Sequence, residues 1–461
     1  MASDTGKDHK AVQRDIPDRY SVFLNTEKWC IASLVAYASF FSTLSSFIYF
    51  PAIPAISGAL SVSVDQINWT VTAYMAVASV GPTLTGNISD VYGRRPVYIV
   101  VLSLYIAANV GIAVAHSYPV LLALRAVQAL AISGTFSITY GVIADIASPA
   151  ERGSFVSLVA FATTVAPAFG PMLGGALTYA AGWTWIFWFL SLSSGLCLLL
   201  MVFVLPETAR NVVGNGSTKP PKLSQLPINL SAFRHWNGTD CNGDGSPEAE
   251  KKSLWRVLNP LQSLTILIRR DNLVIVSACS LLYVVYTCVN TSLSVLFVEI
   301  YNLNQWQAGL VYLPFGIGGL ASSLFSGRMI NKAYRKTRID LETSIEGAAS
   351  AELNDFPVER ARLRVIWIPL LITIYNTLLV DKNPRNPAAA QASSNILRCG
   401  FAAIVIAFLE VAFTGIGIGW TFTIMSALCL ICLALFAVDY AWGFAWRQLA
   451  LAAKAGDTRV L

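Results

Sequence analysis

A chain of 461 residues that is 55% hydrophobic and only 13% charged departs from soluble domains, in which about a quarter of residues are charged. Its net charge of +6 is concentrated between apolar stretches, so it reports orientation in a membrane and not a nucleic-acid partner. Three histidines outside the apolar spans and eight scattered cysteines without zinc or disulfide spacing leave no basis for a metal, a cofactor or an intramembrane enzyme centre.

Residues 1–28 are polar, mix Lys7, Lys10, Arg14, Arg19 and Lys28 with acids, and lack the apolar core of a signal peptide, which reads as a cytosolic tail. Six stretches near the length of about 20 residues that crosses a bilayer follow. They lie at 29–56, 67–88, 96–115, 119–143, 154–179 and 184–205, giving an N-terminal six-helix bundle over 29–205. Arg94, Arg95 and Arg152 fall in its inward connections, whereas the outward connections 57–66, 116–118 and 180–183 hold no Lys or Arg. That asymmetry places both ends of the half in the cytosol.

Residues 206–271, rich in Pro, Gly, Asn and charge, read as a mobile cytosolic linker. The second half, 272–438, shows spans at 272–298, 307–326, 363–380, 388–413 and 418–438, followed by a tail over 439–461. Eleven spans are therefore visible. An odd count puts Lys382, Arg385 and the basic tail outside, against the charge rule obeyed elsewhere. YGVIADIASPAERG, from Tyr140, and NTLLVDKNPRNPAA, from Asn376, share a layout of apolar helix end, acid and proline. The run 363–380 thus begins like one span and ends like the next, as if about forty residues, the rest of two helices, were absent.

GNISDVYGRR, from Gly86, places three formal charges and a tight turn between two spans. Gly86 permits close helix approach, Asp90 caps the next helix or receives an arginine, and Gly93 permits the turn. Arg94 and Arg95 suit acids or lipid phosphates. Asp145 and Arg152, seven residues apart across Pro149, suit a cytosolic latch with this loop; a loop that only anchors topology is the plainer reading. Arg125, in LLALRAVQAL with Gln128 one turn on, either snorkels to the outer interface or forms a polar site for protons or an anionic substrate. APAFGPMLGG sets Gly170, Pro171, Gly174 and Gly175 in the fifth span, where they serve ordinary packing or a hinge. Trp183, Trp185, Phe187, Trp188 and Phe189 read as an outer interface belt, and Tyr283, Tyr286 and Asn290 either line a substrate path or pack. Glu410 is the only acid expected deep in the late spans.

With these motifs the chain resembles the major facilitator superfamily, and more closely the fungal twelve-span drug:proton antiporters, a group that includes quinidine-resistance-type carriers and organic-acid exporters. GNISDVYGRR is similar to the family's loop between spans two and three. LLALRAVQALAISG is similar to its span-four signature, with Ala129 where a glycine is usual, and APAFGPMLGG is similar to the antiporter signature of span five, with Ala166 in place of the leading glycine. LPETAR, SGRMINKAYR and FPVERARLR extend the likeness. The resemblance implies an all-α membrane protein of two pseudo-symmetric bundles, with eleven spans seen here against twelve expected. It further implies a monomer in the cell membrane more than the vacuolar membrane, and export of amphipathic molecules, fungal metabolites or organic acids driven by protons. Symport or facilitative import by the same fold is the alternative. The departure near residue 375 implies poor folding or an inactive product.

Overall fold

The computed structural model describes residues 20–148, 151–216, 221, 269–314, 316–319, 379 and 387–457. Among these residues the chain is helical throughout its regular structure, as long apolar segments in lipid require, because a helix satisfies its own backbone polar groups. The first half contains α1 (Asn25–Phe47), a 3-10 turn (Phe50–Ala52), α2 (Ile53–Leu60), α3 (Val64–Tyr92), α4 (Arg94–Val114), α5 (Tyr118–Ile146), α6 (Arg152–Ala181), α7 (Thr184–Val204) and α8 (Arg210–Val213). In the second half lie α9 (Arg270–Tyr301), α10 (Gln305–Leu310), α11 (Pro387–Ala407), α12 (Leu409–Ile416) and α13 (Ile418–Asp457).

Local chemistry sets the helix starts. Ser63 accepts from the Gln66 N–H while the Gln66 side chain accepts from Ser63 N–H, a reciprocal cap that begins α3. Asn304 and Gln307 do the same for α10. Within α6, Pro167 and Pro171 each remove a backbone donor, yet the helix continues to Ala181 because its neighbours hold it.

Seven helices among the described residues are long and apolar enough to cross a membrane, or eight if α11 and α12 form one broken span. The count of eleven is not reached there. Helix α3 has the length to cross but carries Thr70, Thr72, Ser79, Thr83, Thr85 and Ser89, hydroxyls that lower its hydropathy and face the interior helices. The expected straight span over 388–413 is instead bent by 42° at Phe408, between Ala392–Ala407 and Leu409–Ile416. Helix α13 runs on past 438 to Asp457. The run 363–380 apart from Leu379, the acid of NTLLVDKNPRNPAA and the segment SGRMINKAYR lie outside the described residues, as do most of the linker and the first 19 residues.

The core sits among α1, α3, α4, α5 and α7. Two seams join the halves: α3 lies along α11, and α6 lies against α10. Trp185 and Trp188 face outward at the start of α7, whereas Phe187 is buried against Tyr49, so the aromatic series divides between belt and core.

Candidate functional site

At one end of the first-half bundle, the α3–α4 loop is closed by an ion-pair cluster. The Arg94 guanidinium pairs with Asp90 at 2.6 Å and Asp145 at 3.1 Å and donates to Ser89 Oγ at 2.6 Å. Arg94 and Arg95 are both buried, which turns their side chains away from lipid phosphates. The Arg95 guanidinium donates instead to the Val202 carbonyl at 2.7 Å. Asp90 therefore receives an arginine, and the cap of α4 comes from a residue that sequence reading left unassigned, Glu207. Its carboxylate accepts from the backbone N–H of Arg94 at 2.7 Å, Arg95 at 3.3 Å, and Thr208 and Ala209 at 3.0 Å each. Glu207 is fully buried. The signal was present in LPETAR, which places an acid just after a span, but only the fold brings it to another helix's N-terminus.

Gly93 makes this arrangement possible. At φ +102° and ψ 157° it occupies a conformation that only glycine adopts readily, and a Cβ there would stand 2.4 Å from Glu207 Oε2. At Gly86 a Cβ would meet Ser137 Oγ at 3.4 Å, so the close α3–α5 approach falls elsewhere, at Gly81 and Gly134.

Arg152 does not pair with Asp145, because Arg94 already occupies that carboxylate. The Arg152 Nη2 donates to the Tyr20 hydroxyl at 3.1 Å, and Arg210 covers the Tyr20 ring at 3.8 Å while donating to the Asp145 carbonyl. Beside them Lys28 pairs with Glu151 at 2.6 Å. Burial alone would raise the Glu151 carboxyl, but the Lys28 ammonium and the Ser148 N–H outweigh it and hold it below the usual carboxylate range.

Deeper in the membrane, Arg125 is 1% exposed, which excludes snorkelling. Its Nη1 donates to Gln128 Oε1 at 2.6 Å, Gln128 Nε2 donates to Asn109 Oδ1 at 2.7 Å, and Asn109 Nδ2 donates to the Tyr105 carbonyl at 2.8 Å. Its guanidinium carbon lies 4.2 Å from the Tyr49 ring centre and 4.5 Å from that of Tyr74. Arg125 Nε has no hydrogen-bond partner, and no described ion pair reaches this residue. Among the described residues, the hydrogen-bond and ring contacts of this buried cation are all with neutral groups.

The expected second-half residues divide. Tyr286 stacks obliquely on Phe47 of α1 at 5.5 Å and on Tyr283 at 6.1 Å, so these rings do meet between the halves. Asn290 turns its amide to the Tyr286 carbonyl of its own helix at 2.7 Å, and its carbonyl accepts from the Tyr312 hydroxyl at 2.5 Å. It does not join the Arg125 chain. Asp439, one residue past the expected end of its span, is fully buried in α13, so Glu410 is not the only deep acid of the late helices. Glu410 sits in the first turn of α12, just after the bend, where backbone N–H groups favour an acid.

The span-five glycines form the α6 side of a seam. A Cβ at Gly174 would stand 2.0 Å from the Ile48 carbonyl oxygen and one at Gly175 would stand 2.3 Å from that of Gln305. A Cβ at Gly309 would come within 2.6 Å of the Pro171 carbonyl, and one at Gly170 within 3.2 Å of Ile48 N. Backbone thus meets backbone from both halves.

Comparison with known proteins agrees with this architecture. Residues 35–342 match the Major Facilitator Superfamily model. The chain is 31% identical to citrate exporter 1 of Aspergillus niger, covering 93% of this chain and 88% of that one. With quinidine resistance protein 1 of Saccharomyces cerevisiae it shares 30% identity over 89% of this chain and 82% of that one. The fold also matches the solved proton:xylose symporter XylE bound to 6-bromo-6-deoxy-D-glucose, with a TM-score of 0.59 at 13% identity, covering 91% of this chain and 96% of that one. The alignment with citrate exporter 1 runs over 469 positions yet covers 93% of the 461 residues, so it includes positions at which this chain has no residue. Interior polar chains on long apolar helices, two seamed halves and the matched family model together place this chain in the major facilitator superfamily, as a multi-pass membrane transporter of small molecules.

Proposed function

We propose that this chain is a secondary transporter that exports small organic acids across the cell membrane in exchange for protons, acting as a monomer. The observation that carries this reading is Arg125, a buried cation whose partners among the described residues are the Gln128 amide and the rings of Tyr49 and Tyr74. Removing a charge from water costs several kcal/mol, about 2.5–3.5 kcal/mol for arginine at the centre of a membrane helix on insertion scales. A site that keeps such a charge without an acid partner favours an anionic cargo. The similarity to citrate exporter 1 supports the same class.

Guanidinium does not release its proton in a protein, so Arg125 supplies fixed positive potential and the proton travels on another group. Asp439 and Glu410, acids of the second-half helices, are the candidates for that role. The Arg94, Asp90 and Asp145 cluster, with Gly93 and Glu207, acts as a cytosolic latch, and the α6–α10 seam acts as the outer hinge. A second reading, export of amphipathic drugs, is favoured by the ring series Phe47, Tyr286 and Tyr283 and by the similarity to quinidine resistance protein 1.

The test is efflux from cells expressing the chain, loaded with citrate or with quinidine, with the proton gradient intact or collapsed by an ionophore. Gradient-dependent citrate efflux that falls at least tenfold in Arg125→Ala, and is not rescued by Arg125→Gln, is the expected result. Quinidine efflux without citrate efflux would replace this reading with the second one. Efflux of either that ignores the gradient would remove proton coupling.

A further inference from the structure

We propose that Asn109 is a positioning residue for cargo: acting through Gln128, it fixes the heading of the Arg125 guanidinium and thereby the affinity for a carboxylate that it does not itself touch. This rests on the proposed export of organic acids and names the residue that readies their site. Asn109 lies on α4, whereas Arg125 and Gln128 lie one turn apart on α5, and these two helices pack along each other. Asn109 and Gln128 are both fully buried. Asparagine is a weak helix former, and a buried amide is costly unless it is bonded, so such a residue inside an apolar span needs a use.

The bonding capacity of the four groups leaves one arrangement. The Tyr105 carbonyl has no proton and can only accept, so Asn109 turns its Nδ2 toward it, at 2.8 Å. That leaves the Asn109 side-chain oxygen facing α5, where it too can only accept, and Gln128 Nε2 donates to it at 2.7 Å. Gln128 Oε1 is then the atom that meets Arg125 Nη1, at 2.6 Å, in a charge-assisted bond. With a carbonyl at one end and a guanidinium at the other, neither amide can reverse without setting donor against donor or acceptor against acceptor. Each amide therefore imposes its polarity on the next. Cutting the chain at Asn109 frees Gln128 to turn its NH2 toward the guanidinium.

The chain leaves part of that guanidinium unused. Arg125 Nη1 is engaged by Gln128, but Nε has no hydrogen-bond partner although the side chain is 1% exposed. The rings of Tyr49 and Tyr74, at 4.2 and 4.5 Å, attract the charge without accepting from its in-plane N–H groups. The Nε side is thus the edge presented to a carboxylate. Its mounting is held on two further helices: the Tyr105 hydroxyl bonds to Ser45 of α1, and the Tyr49 hydroxyl to Thr70 of α3 at 2.9 Å. Every member belongs to the first half, so the edge keeps its heading when the halves tilt against each other, and cargo meets a guanidinium already oriented.

The experiment is equilibrium binding to the purified full chain in detergent, with radiolabelled citrate and its neutral triethyl ester as probes, read beside the melting temperature. Wild type is expected to prefer citrate, and Arg125→Gln to lose that preference. Asn109→Leu and Gln128→Leu should each weaken citrate binding at least fivefold, while ester binding moves less than twofold. The double variant separates positioning from packing. It should bind citrate within twofold of Asn109→Leu alone, because the chain is already cut, and should melt higher than that single variant, because no amide is left buried without a partner. Stability then returns without affinity. Affinity that returns with stability, losses that multiply in the double variant, or citrate binding unchanged in Asn109→Leu would each overturn the positioning role. Unchanged binding in Asn109→Leu beside a loss in Arg125→Gln would overturn that role alone and leave the Arg125 reading standing. Citrate binding indifferent to Arg125→Gln, or no stronger than ester binding in wild type, would overturn both.

Discussion

Replacing Glu207 tests whether the Arg94 cluster is built on one carboxylate. Four backbone N–H groups converge on it, at 2.7, 3.0, 3.0 and 3.3 Å, and none of its surface reaches solvent. A hydrogen bond to a charged group contributes about 1.5–3 kcal/mol, and the α4 N-terminus adds about 0.3–1 kcal/mol of dipole interaction. In Glu207→Ala all four donors, on residues that are themselves buried, lose their acceptor, and local rearrangement recovers part of the loss. The expected loss is about 3–5 kcal/mol. Glu207→Gln keeps Oε1 and its three bonds, loses the 3.3 Å acceptor and the charge, and should lose about 1–2 kcal/mol. Buried Cys197, Cys279, Cys288, Cys399 and Cys432 make a thiol-reactive dye a suitable reporter of unfolding in detergent. Membrane carriers often unfold irreversibly, so the variants are ranked at one scan rate. The order wild type, Gln, Ala should span several degrees. Gly93→Ala adds a check through a double-mutant cycle: its clash with Glu207 Oε2 disappears in the Glu207→Ala background, so the two losses should sum to more than the double variant shows. Glu207→Ala melting within a degree of wild type, or strictly additive losses, would refute the reasoning.

The remaining predictions concern the seam, the exposed ion pair and the chain length. Gly175→Val drives a side chain into the Gln305 carbonyl and should part the α6–α10 seam, so that Ala308→Cys, buried at α10, becomes labelled by an impermeant thiol reagent added outside; unchanged labelling would remove the hinge role. Lys28 with Glu151 should contribute at most about 1 kcal/mol, as partly exposed pairs do. Because the Glu151 carboxyl sits below its ordinary range, that increment is present at neutral pH, above the unfolded value, and is lost as pH falls through the folded one; melting of Glu151→Gln should therefore differ from wild type at pH 7 and converge with it in acid. Restoring the residues that citrate exporter 1 carries where this chain has a gap should raise the melting temperature and place a C-terminal tag inside, and an inside tag on the unextended chain would refute the parity argument.

Apolar run length and the position of Arg94, Arg95 and Arg152 were enough to place the six long helices of the first half, because lipid imposes a single rule on length and backbone pairing. What remained hidden were contacts between distant segments. Glu207 looked like the start of a linker, since nothing within LPETAR says that its carboxylate reaches Gly93. Asp439 looked like the first residue of a tail, since hydropathy falls there while the helix continues. Helix α11 carries a run of small and polar residues, Gln391 to Asn395, which weakens the span signal where a seam between halves most needs small side chains. The bend at Phe408 carries no proline, and its glycine neighbours lie well away, so no local signal marks it.

Arg94 and Arg125 are held by different chemistry, and the difference follows depth. At the α3–α4 end of the bundle, Arg94 meets Asp90 and Asp145 and its own backbone is capped by Glu207, so the charges that fix it belong to the protein. Such a cluster is satisfied in one arrangement of the helices and must be broken to reach another, which suits a latch. In the membrane interior, Arg125 is oriented by Gln128 and by the rings of Tyr49 and Tyr74. Orientation by neutral groups keeps the positive potential available, and an anion bound there gains more than it would in water because the local dielectric is low. On the export reading proposed above, internal ion pairs at the edge would hold the resting state and cargo would balance the central charge. Moving a carboxylate beside Arg125 should therefore impair transport while raising stability: Gln128→Glu is expected to melt higher than wild type and to lose citrate efflux, and a variant that gained stability with full efflux would break the link between the unbalanced charge and function.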